Sequence, residues 1–98
     1  MEKPVTIPEW AWVKVASAVT TGVIIRQDTT VYYYRVYKKA GALPPDSLVV
    51  GEIPAEAVKL FEQSKYAVIN NNTAIDVYIM CANNDNDADE SGKVMVNL

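Results

Sequence analysis

Apolar residues recur at every second position in several short stretches of this chain. In "EWAWVKVA", the residues Ala11, Val13 and Val15 alternate with the bulkier Trp10 and Trp12. Successive side chains of a β-strand point to opposite faces of its sheet, so this spacing predicts strands with two distinct faces. Similar alternation, or a run of β-branched and aromatic residues, occurs in "GVIIRQ", "VYYYRVYKK", "DVYIMCA" and "KVMVNL".

Turn-forming residues separate these stretches. They occur in "VTTG", "QDTT", "AGALPPD" and "NNNT", and such punctuation about every eight to twelve positions is typical of a sandwich or barrel. The sequence therefore predicts a single all-β domain over residues 1–98, a small antiparallel β-sandwich of about seven to eight short strands. The last two stretches, "DVYIMCA" and "GKVMVNL", are expected to form a C-terminal hairpin. The segment 57–61 is predicted to be extended, and little helix is expected elsewhere.

Charge and hydropathy exclude two classes of partner. The 98 residues carry a net charge of −3 at pH 7, whereas nucleic-acid binding needs a basic surface that neutralises phosphates. No apolar run approaches the roughly 20 residues that a membrane-spanning helix needs, and "MEKPVTIPEW" lacks the layout of a signal peptide. We expect neither a nucleic-acid nor a membrane partner, and we expect the protein to stay in the compartment where it is made.

The residues that usually perform catalysis are scarce in this sequence. There is no histidine, which removes the common general base near neutral pH and the commonest metal ligand. The single cysteine, Cys81, lies in an apolar stretch with no basic neighbour in sequence, so it is predicted to be a core residue and not a nucleophile. No phosphate-binding glycine motif is present. The sequence predicts no enzyme activity and no cofactor.

An acidic run near the C-terminus raises the possibility of a metal site. Asp85, Asp87 and Asp89 have the alternate spacing of the first ligands of an EF-hand calcium loop. The glycine that such a loop needs at position six is replaced by Glu90, and the glutamate at position twelve by Val96. The preferred interpretation is the charged tip of the predicted hairpin, and calcium binding by the three aspartates is the alternative.

Aromatic residues supply the strongest indication of function. In "VYYYRVYKK" the residues Tyr33, Arg35 and Tyr37 share one face, and Trp10 and Trp12 share a face of the first strand. Tyrosine, tryptophan and arginine are enriched at protein interfaces, so these five are the predicted contact residues of an interface. Cross-strand packing on the sheet is the alternative of equal weight. The other face of the aromatic strand holds Tyr32, Tyr34 and Val36.

The layout of the chain resembles that of a known class of proteins. The order "IPEWAWVKVASAVTTGVI", "YYYRVYKKAGALPP", "GEIPAEAVKLF", "AIDVYIMCANN" and "GKVMVNL" is similar to that of small β-sandwich structural proteins of tailed bacteriophages. The resemblance implies a non-enzymatic virion protein, as capsid decoration or as a tail or fibre component. It also implies synthesis in the host cytoplasm, location in the virion, self-association into a homo-oligomer and contacts with other virion proteins.

Two other functions remain open from the sequence. A sheet face with aromatic and polar side chains also suits a host-adhesion module that binds a glycan. A small acidic protein can alternatively inhibit or regulate a host protein. A glycan array would test the first, and recovery of one stoichiometric host protein from a lysate would favour the second.

Overall fold

The computed structural model describes residues 2–83 and 91–98. Strands make up its regular structure, and these residues contain no helix. In chain order the strands are β1 (Glu2–Pro8), β2 (Val13–Arg26), β3 (Tyr32–Lys39), β4 (Val58–Lys59), β5 (Tyr66–Ala82) and β6 (Ser91–Asn97).

The six strands form one antiparallel sheet in the order β1-β6-β2-β5-β3-β4. The predicted all-β, antiparallel fold is confirmed, and β4 confirms the predicted extended piece within 57–61. An Asx turn begins the β2–β3 connection, where the Thr30 N–H donates to Asp28 Oδ1 at 2.8 Å. Within the described part of the chain, no helix is long and apolar enough to cross a membrane.

The strand number differs from the expected seven or eight because two predicted turns lie inside long strands. β2 has 14 residues and β5 has 17. "VTTG" in β2 and "NNNT" in β5 face each other at a register shift, where Val19 is opposite Ile75 but Thr21 is opposite Asn70. Polar and glycine residues here form a bulge, which bends a strand without ending it. The result is one sheet of six strands in place of two packed sheets.

The predicted C-terminal hairpin is wrong, although the C-terminal strand itself is present. β6 pairs with β1 over its whole length and with the end of β2, while both sides of β5 are occupied by β2 and β3. Alternation identifies which residues share a face, but it does not specify the neighbouring strand. Strands that are consecutive in the sequence are neighbours in the sheet in only about two-thirds of cases, and β5 and β6 are one of the exceptions.

The sheet is strongly curved, so that the end of β1 contacts β5 across the core. Glu9, just after β1, forms a parallel bridge with Cys81 of β5, and the Cys81 thiol donates to the Ile7 carbonyl at 3.2 Å. Ile7 and Cys81 have no exposed surface, which confirms that Cys81 is a core residue. The curl encloses the main core of buried residues, which consists of Ile7, Val15, Ala16, Ile24, Val31, Tyr33, Ile69, Ile75, Val77, Ile79, Cys81, Val94 and Val96.

Gly92 gives the Tyr33 ring the space it needs in this core. A Cβ atom at Gly92 would lie 2.6 Å from Tyr33 Cε2 and 2.7 Å from the hydroxyl oxygen. We expect Gly92→Ala to lower the free energy of unfolding by about 3 kcal/mol, because the ring is held in place and overpacking is not relieved. Urea unfolding monitored by circular dichroism measures this loss.

A second glycine supplies the control for that substitution. Gly41 has a φ of 83° and nothing within 4 Å of an added Cβ. Gly41→Ala should therefore cost only the backbone strain of a left-handed residue, about 1 kcal/mol. Equal losses for the two alanine variants would contradict the proposed packing of Gly92 against the ring.

Candidate docking surface

Tyr33, the first of the predicted interface residues, lies in the core. It is 1% exposed, and its ring packs edge-on against Phe61 with centroids 5.4 Å apart. The hydroxyl donates to the Asp28 carbonyl at 2.8 Å and accepts from the Lys93 N–H at 3.0 Å. Burial raises the pKa of this phenol above its usual value, so Tyr33 is a neutral structural group and not a surface contact in the folded monomer.

Arg35 and Tyr37 share the inner face of β3 with Tyr33. They stand opposite Ile79 and Val77 of the core and are partly buried. The Arg35 guanidinium lies over the Tyr37 ring, 3.8 Å from its centroid, in a cation–π contact. The expected exposed patch of three residues is thus replaced by a core tyrosine and an internally stacked pair. Serine at all three positions should therefore destabilise the folded monomer, because it removes the buried Tyr33 ring.

Trp10 and Trp12 lie in the connection between β1 and β2, because β2 begins only at Val13, so the prediction that they share a strand face is wrong. They belong to a second, smaller apolar group, here called the outer cluster, which also contains Tyr34, Leu48, Met80 and Ala82. Trp10 is 8% exposed and has a left-handed backbone with a φ of 55°. The Trp10 backbone N–H donates to the Cys81 carbonyl at 3.0 Å, and this hydrogen bond holds the unfavourable backbone conformation in place.

Both indole N–H groups of the outer cluster are buried without a hydrogen-bond partner. Trp10 Nε1 and Trp12 Nε1 have almost no accessible surface and no acceptor. A buried unpaired donor costs about 1–3 kcal/mol, so these two groups offset part of the stabilisation that the outer cluster gains from apolar burial.

The long loop of residues 40–57, between β3 and β4, lies over part of the outer cluster. It contains no strand or helix, and loops of this length are uncommon in small domains unless they serve a function. Pro45 is buried, and Leu48 packs against the outer cluster. Between the loop and the sheet lies an open cleft of about 300 Å³, which is lined by Trp10, Ala11, Trp12, Pro44, Pro45, Ser47, Leu48 and Tyr78.

The outer side of the long loop is apolar and exposed. Of the nine exposed large hydrophobic side chains in the described residues, six lie on or beside this loop, whereas singly scattered ones are normal. These six, here called the loop surface, are Tyr32, Leu43, Val49, Val50, Ile53 and Val58. A cleft of about 350 Å³ has both Tyr32 and Ile53 in its walls, and a neighbouring one has both Ile53 and Val49. Tyr32, Ile53 and Val49 therefore lie near one another on this side of the molecule.

Two residues of the loop surface are more exposed than the other four. Leu43 is 85% exposed and Val49 is 60% exposed. Sequence reasoning treated "AGALPPD" as a connection and so missed the loop surface. The available signal was the apolar content of "ALPPDSLVVGEI", where five large aliphatic residues accompany only two charged ones. Such a composition is unusual for a solvated loop and typical of a contact region.

The base of the long loop is fixed by a buried carboxylate. Asp76 of β5 is 1% exposed and accepts the Gly41 N–H at 3.2 Å and the Ala18 N–H at 2.8 Å. The Lys14 ammonium lies 3.6 Å from the same carboxylate. The Ala18 hydrogen bond, helped by Gly41 and Lys14, keeps the pKa of Asp76 below its usual value. The loop therefore starts from a rigid point on the sheet.

A wider cleft lies away from the long loop. Its volume is about 430 Å³, and its walls are formed by Lys3, Lys14, Val15, Ala16, Ser17, Val96 and Leu98. The Lys14 ammonium lies 3.6 Å from the Asp76 carboxylate, and most of the other lining side chains are apolar.

The acidic run and its metal alternative at Asp85, Asp87 and Asp89 lie outside the described residues. Among residues 2–83 and 91–98, no group of three or more histidine, cysteine, aspartate or glutamate side chains is placed to hold a metal ion. Comparison with known proteins gives no match: no family model matches the chain, and no curated protein or solved structure is significantly similar to it.

Proposed function

We propose that this protein is a non-enzymatic structural component that self-associates and docks on a larger assembly. The observation that carries the proposal is the loop surface, because it concentrates exposed apolar side chains on one long loop of a small domain. Burying such a patch against a partner removes apolar area from water, which drives association. A modest contact of this kind gains strength when it is repeated over a symmetric assembly.

The kind of assembly is proposed from the layout of the sequence. The resemblance to small structural proteins of tailed bacteriophages favours a virion, with the protein as capsid decoration or as a tail or fibre component. A glycan-binding module is the less favoured alternative, because Trp10 is buried and Leu48 of the long loop packs against the outer cluster.

Serine substitution at three positions of the loop surface should weaken self-association. We expect the wild-type protein to have a solution mass that is a discrete multiple of 10.8 kDa. The triple variant Val49→Ser, Val50→Ser and Ile53→Ser should raise the dissociation constant about 100-fold, since each change removes on the order of 1 kcal/mol of apolar burial. Light scattering after size exclusion, over a range of concentrations, measures both quantities.

The chain offers a matched control for this experiment. Tyr66, Val68 and Leu98 are the three remaining exposed large hydrophobic residues, with exposures of 51%, 68% and 54%. Serine at these three positions should leave the mass unchanged. A wild-type protein that stays at 10.8 kDa at every concentration, or equal weakening by the two triple variants, would contradict the proposal.

A further inference from the structure

The long loop is attached to the rest of the fold at its ends and, between them, by side-chain packing and the exposed Lys38–Glu56 ion pair. The Ala40 N–H donates to the Ala74 carbonyl, and the Leu60 N–H donates to the Tyr33 carbonyl. Between these anchors, the backbone hydrogen bonds described for residues 42–57 stay within the loop or its own first turn, as in Glu52 to Val49. The loop can therefore leave the sheet without breaking a backbone hydrogen bond to another strand.

The surface under the loop is complementary to it in chemistry. Pro45 and Leu48 lie on the aromatic side of the sheet, where Leu48 packs with Trp10 and Trp12. Proline and leucine on tryptophan faces form a contact that depends on side chains, as in the recognition of proline-rich segments by aromatic grooves. A second copy of the chain presents the same groove and can accept the same loop.

The loop is also long enough to reach a neighbouring copy. Residues 42–57, extended out and back, reach about 26 Å from their anchors at roughly 3.3 Å per residue. The shortest dimension of the molecule is 21 Å. Leu48, seven residues beyond Gly41, can extend about 23 Å from that anchor, which exceeds this shortest dimension.

We propose that two copies exchange their long loops, so that residues 42–57 of each lie on the outer cluster of the other. The inference rests on the proposed self-association and specifies its partner, a second copy, and its mechanism. Exchange replaces each loop–groove contact by an identical one between copies, and so it adds the loop-surface contact at little cost in the rest of the fold. The connections at Gly41 and Val58 stay in place.

Engineered cysteines at the cleft test the exchange. Ala11 and Ser47 line the same cleft from the sheet and from the loop, whereas the native Cys81 is buried. A mixture of Ser47→Cys chains with Ala11→Cys chains, oxidised at a concentration that gives oligomers, should form a disulfide-linked heterodimer. We expect about ten-fold more of it than of the heterodimer from Ser47→Cys with Val68→Cys, because docking raises the effective concentration of one pair only.

A single chain with both cysteines distinguishes the outcomes. Exchange predicts that the Ala11→Cys, Ser47→Cys double variant forms covalent dimers on a non-reducing gel. A crosslinked monomer, with the solution mass still a multiple of 10.8 kDa, would overturn the exchange and leave the proposed self-association standing. Absence of any crosslink would overturn the docked loop on which the exchange depends. A wild-type monomer at all concentrations would instead remove the proposed function.

Discussion

Tyr33→Ala should lower the free energy of unfolding by about 4 kcal/mol, a large part of the 5–15 kcal/mol that holds a typical domain together. The substitution empties the space between Phe61 and Gly92. It also removes the hydroxyl, which donates to the Asp28 carbonyl and accepts from the Lys93 N–H. These two hydrogen bonds connect the β2–β3 turn to β6. Chemical denaturation with fluorescence and circular dichroism as parallel probes measures the loss.

Two further variants divide this effect into its parts. Tyr33→Phe keeps the ring and should cost about 2 kcal/mol, because the Lys93 N–H loses its acceptor in a part-buried site. Tyr32→Ala, on the neighbouring position with 42% exposure, should cost less than about 1 kcal/mol, chiefly its cation–π contact with Lys59. Similar losses at positions 32 and 33 would mean that the faces of β3 are assigned incorrectly.

That assignment of faces marks the limit of what periodicity can predict. The alternation in "VYYYRVYKK" predicts that Tyr33, Arg35 and Tyr37 share a face, and they do. It cannot tell which face is inside, because tyrosine serves both as a core residue with a bonded hydroxyl and as a contact residue. The decisive partners of the Tyr33 hydroxyl lie 5 and 60 positions away, and the more distant one comes from tertiary structure.

The same limit explains the miscounted strands. "VTTG" and "NNNT" have the residues of turns, but they face each other across β2 and β5 and form one bulge. A bulge and a turn draw on the same residue types, and only the partner strand distinguishes them. Strand existence and the all-β fold were predictable from local pattern, whereas sheet order required the non-local contacts that a single sequence does not display.

The candidate docking surface was predictable only in part. Trp10 and Trp12 were singled out by their alternation, although they precede β2 and do not share a strand face, and they do line the cleft under the long loop. The loop surface itself was missed because proline and glycine marked the segment as a connection. Its apolar residues become informative once Leu43 and Val49 prove to be exposed, which no periodic pattern indicates in a segment without regular structure.

Asp76→Ala should have the largest effect of any carboxylate substitution in the described part of the chain. The side chain is buried and accepts two backbone N–H groups, from Ala18 at a register shift of β2 and from Gly41 at the base of the loop. Ala18 has a positive φ of 53°, so the carboxylate holds an unfavourable backbone conformation there and also fixes the start of the loop. We expect a marked fall in the midpoint of thermal unfolding, while Asp46→Ala, at an exposed loop position, should change it little.

The pH dependence of stability tests the same carboxylate more specifically. Because the hydrogen bond from Ala18 keeps the folded-state pKa of Asp76 below its usual value, the folded chain holds this proton less tightly than the unfolded chain. The stabilisation is therefore fully present above the unfolded pKa of about 3.9 and is lost as the pH falls through the lower folded pKa. Asp76→Asn has no charge to lose, so its stability should lack this component.

The difference between wild type and Asp76→Asn isolates this contribution from that of Asp28, whose pKa is also lowered, chiefly by the Thr30 hydroxyl. We expect the gap between their unfolding midpoints to be constant from pH 7 to about pH 5 and to narrow below about pH 4. Amide hydrogen exchange should show faster exchange at Ala18 and Gly41 in the variant, since an amide side chain offers only one acceptor oxygen. A gap that stays constant down to pH 2, with unchanged exchange at both amides, would mean that the Asp76 carboxylate does not fix the base of the loop.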